Sequence, residues 1–235
     1  IDYFRKAIDR QQALNLKADE ANSLQRLGSF YDDISRFSEA IESHQQALIL
    51  YRQIDDRSGQ AISLNNLGIA YRSLGQYPTA IDFYQQSLEI FRQIGYRSGE
   101  ANSLNGLGNA YYSLGEYPRA IDFHQQSLEI FRQIGDRHGE ANSLKNLAYT
   151  LAKLDRPWEA LQHYQKARQL YAKLELEHKV QDCDAAIYHL HGIIPAIPRP
   201  APTIGDPSPL PRRRRSLWVR LKRWFRRLWR QLFGK

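Results

Sequence analysis

Leu104, Leu107, Gly108, Tyr111 and Leu114 recur at spacings of three and four, which draws one apolar face of a helix. A second stripe follows in Ala120, Ile121, His124, Leu128, Phe131 and Ile134. Gly115 stands after the first stripe and Gly135 after the second, where helices stop. Pro118 opens the second helix at a position that needs no N–H donor, and Pro78 does so forty residues earlier. The pattern predicts two antiparallel helices joined by a short turn.

The same forty residues recur along the chain. Residues 61–100 match residues 101–140 at all but nine positions, a weaker copy spans 21–60, and a decayed one starts at Ala141. A fixed period of this size predicts a stacked array. Gly28, Gly68, Gly108 and Ala148 share one register of the first helix; Ala40, Ala80, Ala120 and Ala160 share one register of the second. Glycine inside a helix costs roughly 1 kcal/mol relative to alanine, so its recurrence predicts close helix approach. Leu27, Leu67, Leu107 and Leu147, with Tyr31, Tyr71 and Tyr111, should fill the space between helices.

The two edges of the array read differently. Gln11-Gln12-Ala13-Leu14 echoes Gln45-Gln46-Ala47-Leu48, so residues 1–16 read as the second helix of a partial unit, 1–20. That alignment spaces Leu14 and Leu48 by 34, whereas Leu48, Leu88 and Leu128 are 40 apart, and implies six residues gained at the later junctions. The fourth unit, 141–176, has Leu151 in place of tyrosine and Pro157 one residue early. Val180, Cys183, Ile187 and Leu190 then make a further stripe over 177–191, as the capping helix of an open stack would.

Composition divides the chain. Seven of its ten prolines lie in 192–211, a semi-rigid linker that would reach about 60 Å fully extended. Residues 212–235 hold eleven Lys and Arg and no acid, leaving 22 basic against 25 acidic residues over 1–211. The net charge of +8 therefore describes a mildly acidic body with a basic tail. On a helical projection Trp218, Leu221, Trp224, Phe225, Leu228 and Trp229 share one face with Leu217 and Leu232; Arg220, Arg223, Arg226, Arg227 and Arg230 take the other. This predicts a cationic amphipathic helix, broken by arginines too often to cross a membrane but suited to lie on an anionic one. Phosphates would also draw the arginines, with bases stacking on some indoles, and an amphipathic helix can dock in a groove. Methionine is absent even at position 1, so Ile1 is expected to be an internal edge of a longer protein. The single cysteine, Cys183, excludes an internal disulfide and points to a reducing compartment.

The run L-G-x-x-Y-x-x-L-G-x-Y-x-x-A-I, carried by Leu107, Gly108, Tyr111, Leu114, Gly115, Tyr117, Ala120 and Ile121, resembles a tetratricopeptide repeat. The forty-residue spacing and the junction Asp136, Arg137, Gly139, Glu140 resemble the longer-unit subgroup of Pins-type adaptors, kinesin light chains and many bacterial members. The resemblance covers roughly residues 1–175 and implies an all-α, right-handed superhelix, an α-solenoid. It also implies that the first helix of each unit lines a concave groove for a partner protein. The groove candidates are Asn22, Gln25, Asn65, Arg72, Asn102, Asn105, Asn109, Tyr112, Asn142 and Lys145. Asparagine is a poor interior helix former, and its recurrence there fits amides that hydrogen-bond an extended peptide, or a solvated face copied by duplication. Three of the nine differences between the near-identical units, Ile62/Asn102, Ile69/Asn109 and Arg72/Tyr112, fall on this face. A two-carboxylate clamp would need more cations than Arg72 and Lys145.

His44 and His124 share a register with Tyr84 and Tyr164 and read as packing residues with a polar tip. His189 and His191 make no metal site by themselves. No phosphate loop or catalytic constellation is present, so the chain reads as a non-enzyme that needs no cofactor or metal. The expectation is a cytoplasmic scaffold that binds a partner protein in its groove and an anionic membrane's inner face through its tail. A nucleic-acid-associated scaffold, or a tail docked in its own groove, stands as the alternative.

Overall fold

Every twentieth residue turns the chain. A computed structural model describes residues 1–193, and among them Asn15, Ser35, Asp55, Gly75, Gly95, Gly115, Gly135, Asp155 and Glu175 all have φ between 53° and 79°. Each left-handed residue closes the helix before it. The Gly75 N–H bonds the Arg72 carbonyl (3.0 Å) and the Gln76 N–H bonds the Tyr71 carbonyl (2.9 Å). Asn15 and Leu16 make the same pair to Gln12 and Gln11, at 3.0 and 2.9 Å.

The result is ten α-helices and no strand among the described residues: α1 Asp2–Ala13, α2 Lys17–Asp33, α3 Phe37–Gln53, α4 Arg57–Ser73, α5 Tyr77–Gln93, α6 Arg97–Ser113, α7 Tyr117–Ile134, α8 Arg137–Lys153, α9 Pro157–Lys173 and α10 Glu177–Ile193. The constant turn spacing overturns the 34-residue alignment at the first junction. Asn15 matches Asp55, and Ile8, not Leu14, matches Leu48. Ile8 and Leu48 are 8% and 6% exposed, whereas Leu14 is 58% exposed past the end of its helix. No six-residue gain exists; the shared Gln-Gln-Ala-Leu string occupies two different faces.

The first helices begin four residues ahead of Ala21, Ala61, Ala101 and Ala141. The junction sequence is itself the first helical turn. Asp56 and Asp136 cap it, each side chain accepting the N–H of Gly59 or Gly139 at 2.9 Å.

Hairpins α2/α3, α4/α5, α6/α7 and α8/α9 stack in order, with α1 on α2 and α10 on α9. Within a hairpin the glycine register lets the helices meet. A Cβ on Gly28 or Gly108 would lie 2.5 Å from the His44 or His124 ring, and one on Gly68 would lie 2.7 Å from Tyr84. His44 and His124 are fully buried, as packing residues should be. Between hairpins, Gly59, Gly99 and Gly139 lie under Tyr51, Phe91 and Phe131 of the preceding helix. The aligned leucines are buried, and Tyr71 and Tyr111 stack on Phe83 and Phe123 at centroid distances of 5.1 and 5.3 Å.

Polar groups at the junctions are also matched. Glu140 takes Arg132 at 3.0 Å and Arg137 at 2.8 Å; Glu100 takes Arg92 at 3.0 Å and also Arg97. Burial alone would raise the Glu140 carboxyl, but the two guanidiniums outweigh it and hold it below the usual carboxylate range. Ser127 donates to the Ala101 carbonyl or pairs with Ser143 at 2.9 and 3.0 Å, and Ser87 does the same with Ala61 and Ser103 at 2.8 and 2.9 Å. Ser63 holds this register opposite Ala47, and its buried hydroxyl has no partner among the described residues.

At the far end Cys183 takes the serine register of α10. Burial pushes its thiol up to about 11, so it acts as a small core residue. Asp184 stands where α8 has the buried Leu144, and it bonds Arg168 at 2.5 and 3.2 Å. Among the described residues no further hairpin packs on that polar face. α10 runs two residues past the expected cap. The rest of the proline-rich segment and the whole basic tail, with its tryptophans and arginines, lie outside the described residues.

Candidate partner-binding face

Helix contacts decide which face is concave. Successive first helices α2, α4, α6 and α8 touch one another, and no pair of second helices does so to a comparable extent among the described residues. The layer whose members crowd is the inside of the curve. Side-chain links confirm the crowding: Asn146 Nδ2 on α8 donates to Asn105 Oδ1 on α6 at 3.1 Å, and the Tyr112 and Tyr149 rings lie 4.9 Å apart.

The ten groove candidates all lie on these four helices, and each is exposed or half-buried. Their amides, however, are not equivalent. The Tyr51 hydroxyl is 2.7 Å from both Asn22 Oδ1 and Gln25 Oε1. The Tyr171 hydroxyl donates to Asn142 Oδ1 at 2.7 Å, Lys179 Nζ donates to the same oxygen at 3.2 Å, and Asn142 Nδ2 donates to His138 Nδ1 at 3.3 Å. Asn65 Oδ1 takes a long bond from Ser103 at 3.4 Å. Burial lowers His124 to about 4, so the ring is neutral and its Nδ1–H donates to Asn105 Oδ1 at 2.9 Å.

The charged and aromatic candidates have partners too. Burial pushes the Tyr84 hydroxyl up to about 12 against the opposing influence of the nearby Arg72 guanidinium. Lys145 reaches Asp182 at 3.9 Å. Burial, then the contact with Tyr149, raises the Tyr112 hydroxyl above its ordinary value. Asn102 and Asn109 differ from the rest: neither side chain has a hydrogen-bond partner among the described residues. Both lie on α6: Asn109, one turn before Tyr112, shares its register with the exposed Ile69 of α4 and Tyr149 of α8, and Asn102, two turns earlier, shares its register with Ile62 and Asn142.

A cavity of about 300 Å³ continues the face toward the end of the array, lined by Tyr149, Ala152, Tyr164, Ala186 and Leu190 among others. The family resemblance pointed to this stripe, but the sequence reading missed the residues that bond its amides, Tyr51, Tyr171, His138 and Lys179. A signal for two of them exists in retrospect. Asn22 and Tyr51 are 29 residues apart, as are Asn142 and Tyr171.

These features define an α-solenoid of helical hairpins with a polar concave face. The tetratricopeptide repeat model matches residues 19–93 and 99–173, and the chain belongs to that family of protein-interaction scaffolds. No curated protein sequence matches the chain. Among solved structures, the apo form of RapI superposes with a TM-score of 0.70 at 17% identity, over 82% of this chain and 75% of that one. A Rap protein complexed with Competence and Sporulation Factor gives 0.66 at 16% identity, over 75% and 48%. A putative kinesin light chain with nearly identical repeats from Podosopora anserina gives 0.56 at 18% identity, over 73% and 93%. At these identities the likeness is one of fold. No helix among the described residues is long and apolar enough to cross a membrane.

Proposed function

We propose that the array is an adaptor whose concave face holds an extended segment of a partner protein, and whose basic tail ties the assembly to an anionic membrane surface. The observation that carries the first half is a stripe of amides without hydrogen-bond partners among the described residues, Asn102 and Asn109, of which Asn109 shares its register with exposed Ile69 and Tyr149. Amides that present both a donor and an acceptor match the alternating N–H and C=O of an extended chain, and the flanking apolar groups receive its side chains. Asn65, Asn105, Arg72, Tyr112 and Lys145 extend the patch, and Asn22, Gln25 and Asn142 edge it. The solved Rap protein complexed with Competence and Sporulation Factor supports this use of the fold.

The second half rests on the tail's amphipathic sequence, which places Trp218, Trp224 and Trp229 on one face and five arginines on the other. The test is co-sedimentation of the full chain with phosphatidylserine-rich vesicles, phosphatidylcholine vesicles and a DNA duplex at physiological salt. The adaptor binds only the anionic vesicles and loses that binding when the three tryptophans become serine. Equal vesicle binding by the serine variant overturns the membrane half. DNA binding that survives the serine changes moves the tail to nucleic acid.

A further inference from the structure

One register of the second helices carries Tyr51, Phe91, Phe131 and Tyr171, and the first three of these rings pack against the first helix of the next hairpin. All four rings are buried, and Phe131 packs over Gly139 as Tyr51 packs over Gly59. Twenty-nine residues earlier stand Asn22, Ile62, Asn102 and Asn142. Where the ring is tyrosine, its hydroxyl reaches the asparagine carbonyl at 2.7 Å in both cases. Where the ring is phenylalanine, no hydroxyl is offered: Ile62 stands 29 residues before Phe91, and Asn102, 29 before Phe131, has no hydrogen-bond partner among the described residues.

We infer that this buried ring is a hydroxyl toggle that sets which repeats read a ligand, and that it selects the third hairpin, with Asn102 as its principal amide. The inference deepens the proposed peptide-binding role and depends on it. A buried hydroxyl holds the asparagine carbonyl inward and fixes the amide plane, so the residue serves the array. Lacking that hold, the Asn102 amide turns freely and offers donor and acceptor together. The Phe/Tyr choice changes one oxygen atom beneath the surface and no residue on it. Repeats that have just duplicated can thus diverge in recognition through a core position. The ligand class is an extended peptide whose backbone crosses α6, where Asn109 and Tyr112 follow Asn102 along the helix.

The test uses a twelve-residue random peptide library displayed on phage and panned against the full chain. The tightest peptide is then synthesised and measured by calorimetry against variants whose melting temperatures show them folded. Phe131→Tyr should weaken binding by about tenfold, the value of one to two hydrogen bonds. Asn102→Ala should do the same, and the double variant should lose no more than either alone. Phe91→Tyr, opposite Ile62, should leave affinity unchanged. Binding within twofold of wild type in both Phe131→Tyr and Asn102→Ala overturns the toggle and leaves the groove standing. So does an equal loss in Phe91→Tyr and Phe131→Tyr, which would be a general effect of a buried hydroxyl. Failure to select any binding peptide overturns the groove and the toggle together.

Discussion

The junction between the third and fourth hairpins, built by α7 and α8, and the concave face of the third, carried by α6, follow opposite rules. At the junction every group is answered: Gly139 by Phe131, Glu140 by two arginines, Ser127 by Ser143, Asp136 by the Gly139 amide. On the concave face Asn102 and Asn109 have no partner among the described residues. The near-identical second and third units show the same division. Their junction glycines, glutamates and serines agree, while positions 62/102, 69/109 and 72/112 differ. The glycines, glutamates and serines of the junction are copied, although the cap (Tyr96/Asp136) and the buried ring (Tyr84/His124) also differ, and three changes fall together on the concave stripe.

Breaking the junction should have the largest effect. Gly139→Val puts a branched side chain into the Phe131 ring and should cost about 3 kcal/mol, read as a fall in melting temperature. Acid should cost a similar amount through His124. Its folded pKa of about 4 lies below the unfolded value near 6.5, so the unfolded chain binds the extra proton. The stability is complete above pH 6.5 and falls by about 3 kcal/mol as pH drops toward 4. His124→Tyr, which copies Tyr84 over Gly68, should flatten that part of the pH profile.

Removing the charge in Glu140→Gln should cost about 2 kcal/mol at neutral pH, because two guanidiniums lose their carboxylate. The Glu140 carboxyl is held below its unfolded value, so the difference from wild type should persist above pH 4.3 and shrink as pH falls below it. Ala47→Ser should add about 1 kcal/mol by giving the buried Ser63 hydroxyl the partner that Ser87 gives Ser103. Asn102→Ala sharpens the contrast most, since it should change the melting free energy by less than about 0.5 kcal/mol.

Much of the fold was legible because each hairpin repeats its own punctuation. Gly115 and Gly135 announced their turns, Gly75 and Gly95 hold the same places one unit earlier, and the apolar spacing gave the helices between them. Asn15, Ser35, Asp55, Asp155 and Glu175 adopt the same left-handed φ without glycine, so their turns carry no obvious mark. That is why the first junction was misaligned by a chance Gln-Gln-Ala-Leu match. The candidate stripe was legible from the family resemblance, which puts the first helix of each unit on the groove, together with the helical period. The state of each amide was not, since it depends on a ring 29 residues away whose hydroxyl periodicity cannot see. Lys179 was equally hidden, because its bond to Asn142 requires the capping helix to stand beside α8.

The central claim is that a partner segment is read by the unpartnered amides of the third hairpin. Its most direct test is a titration of the ¹⁵N-labelled chain with the selected peptide, following asparagine side-chain NH₂ resonances. The account predicts large shifts for Asn102 and Asn109, with Asn22 and Asn142 nearly unmoved. Shifts concentrated on Asn22 and Asn142, with Asn102 silent, would contradict it.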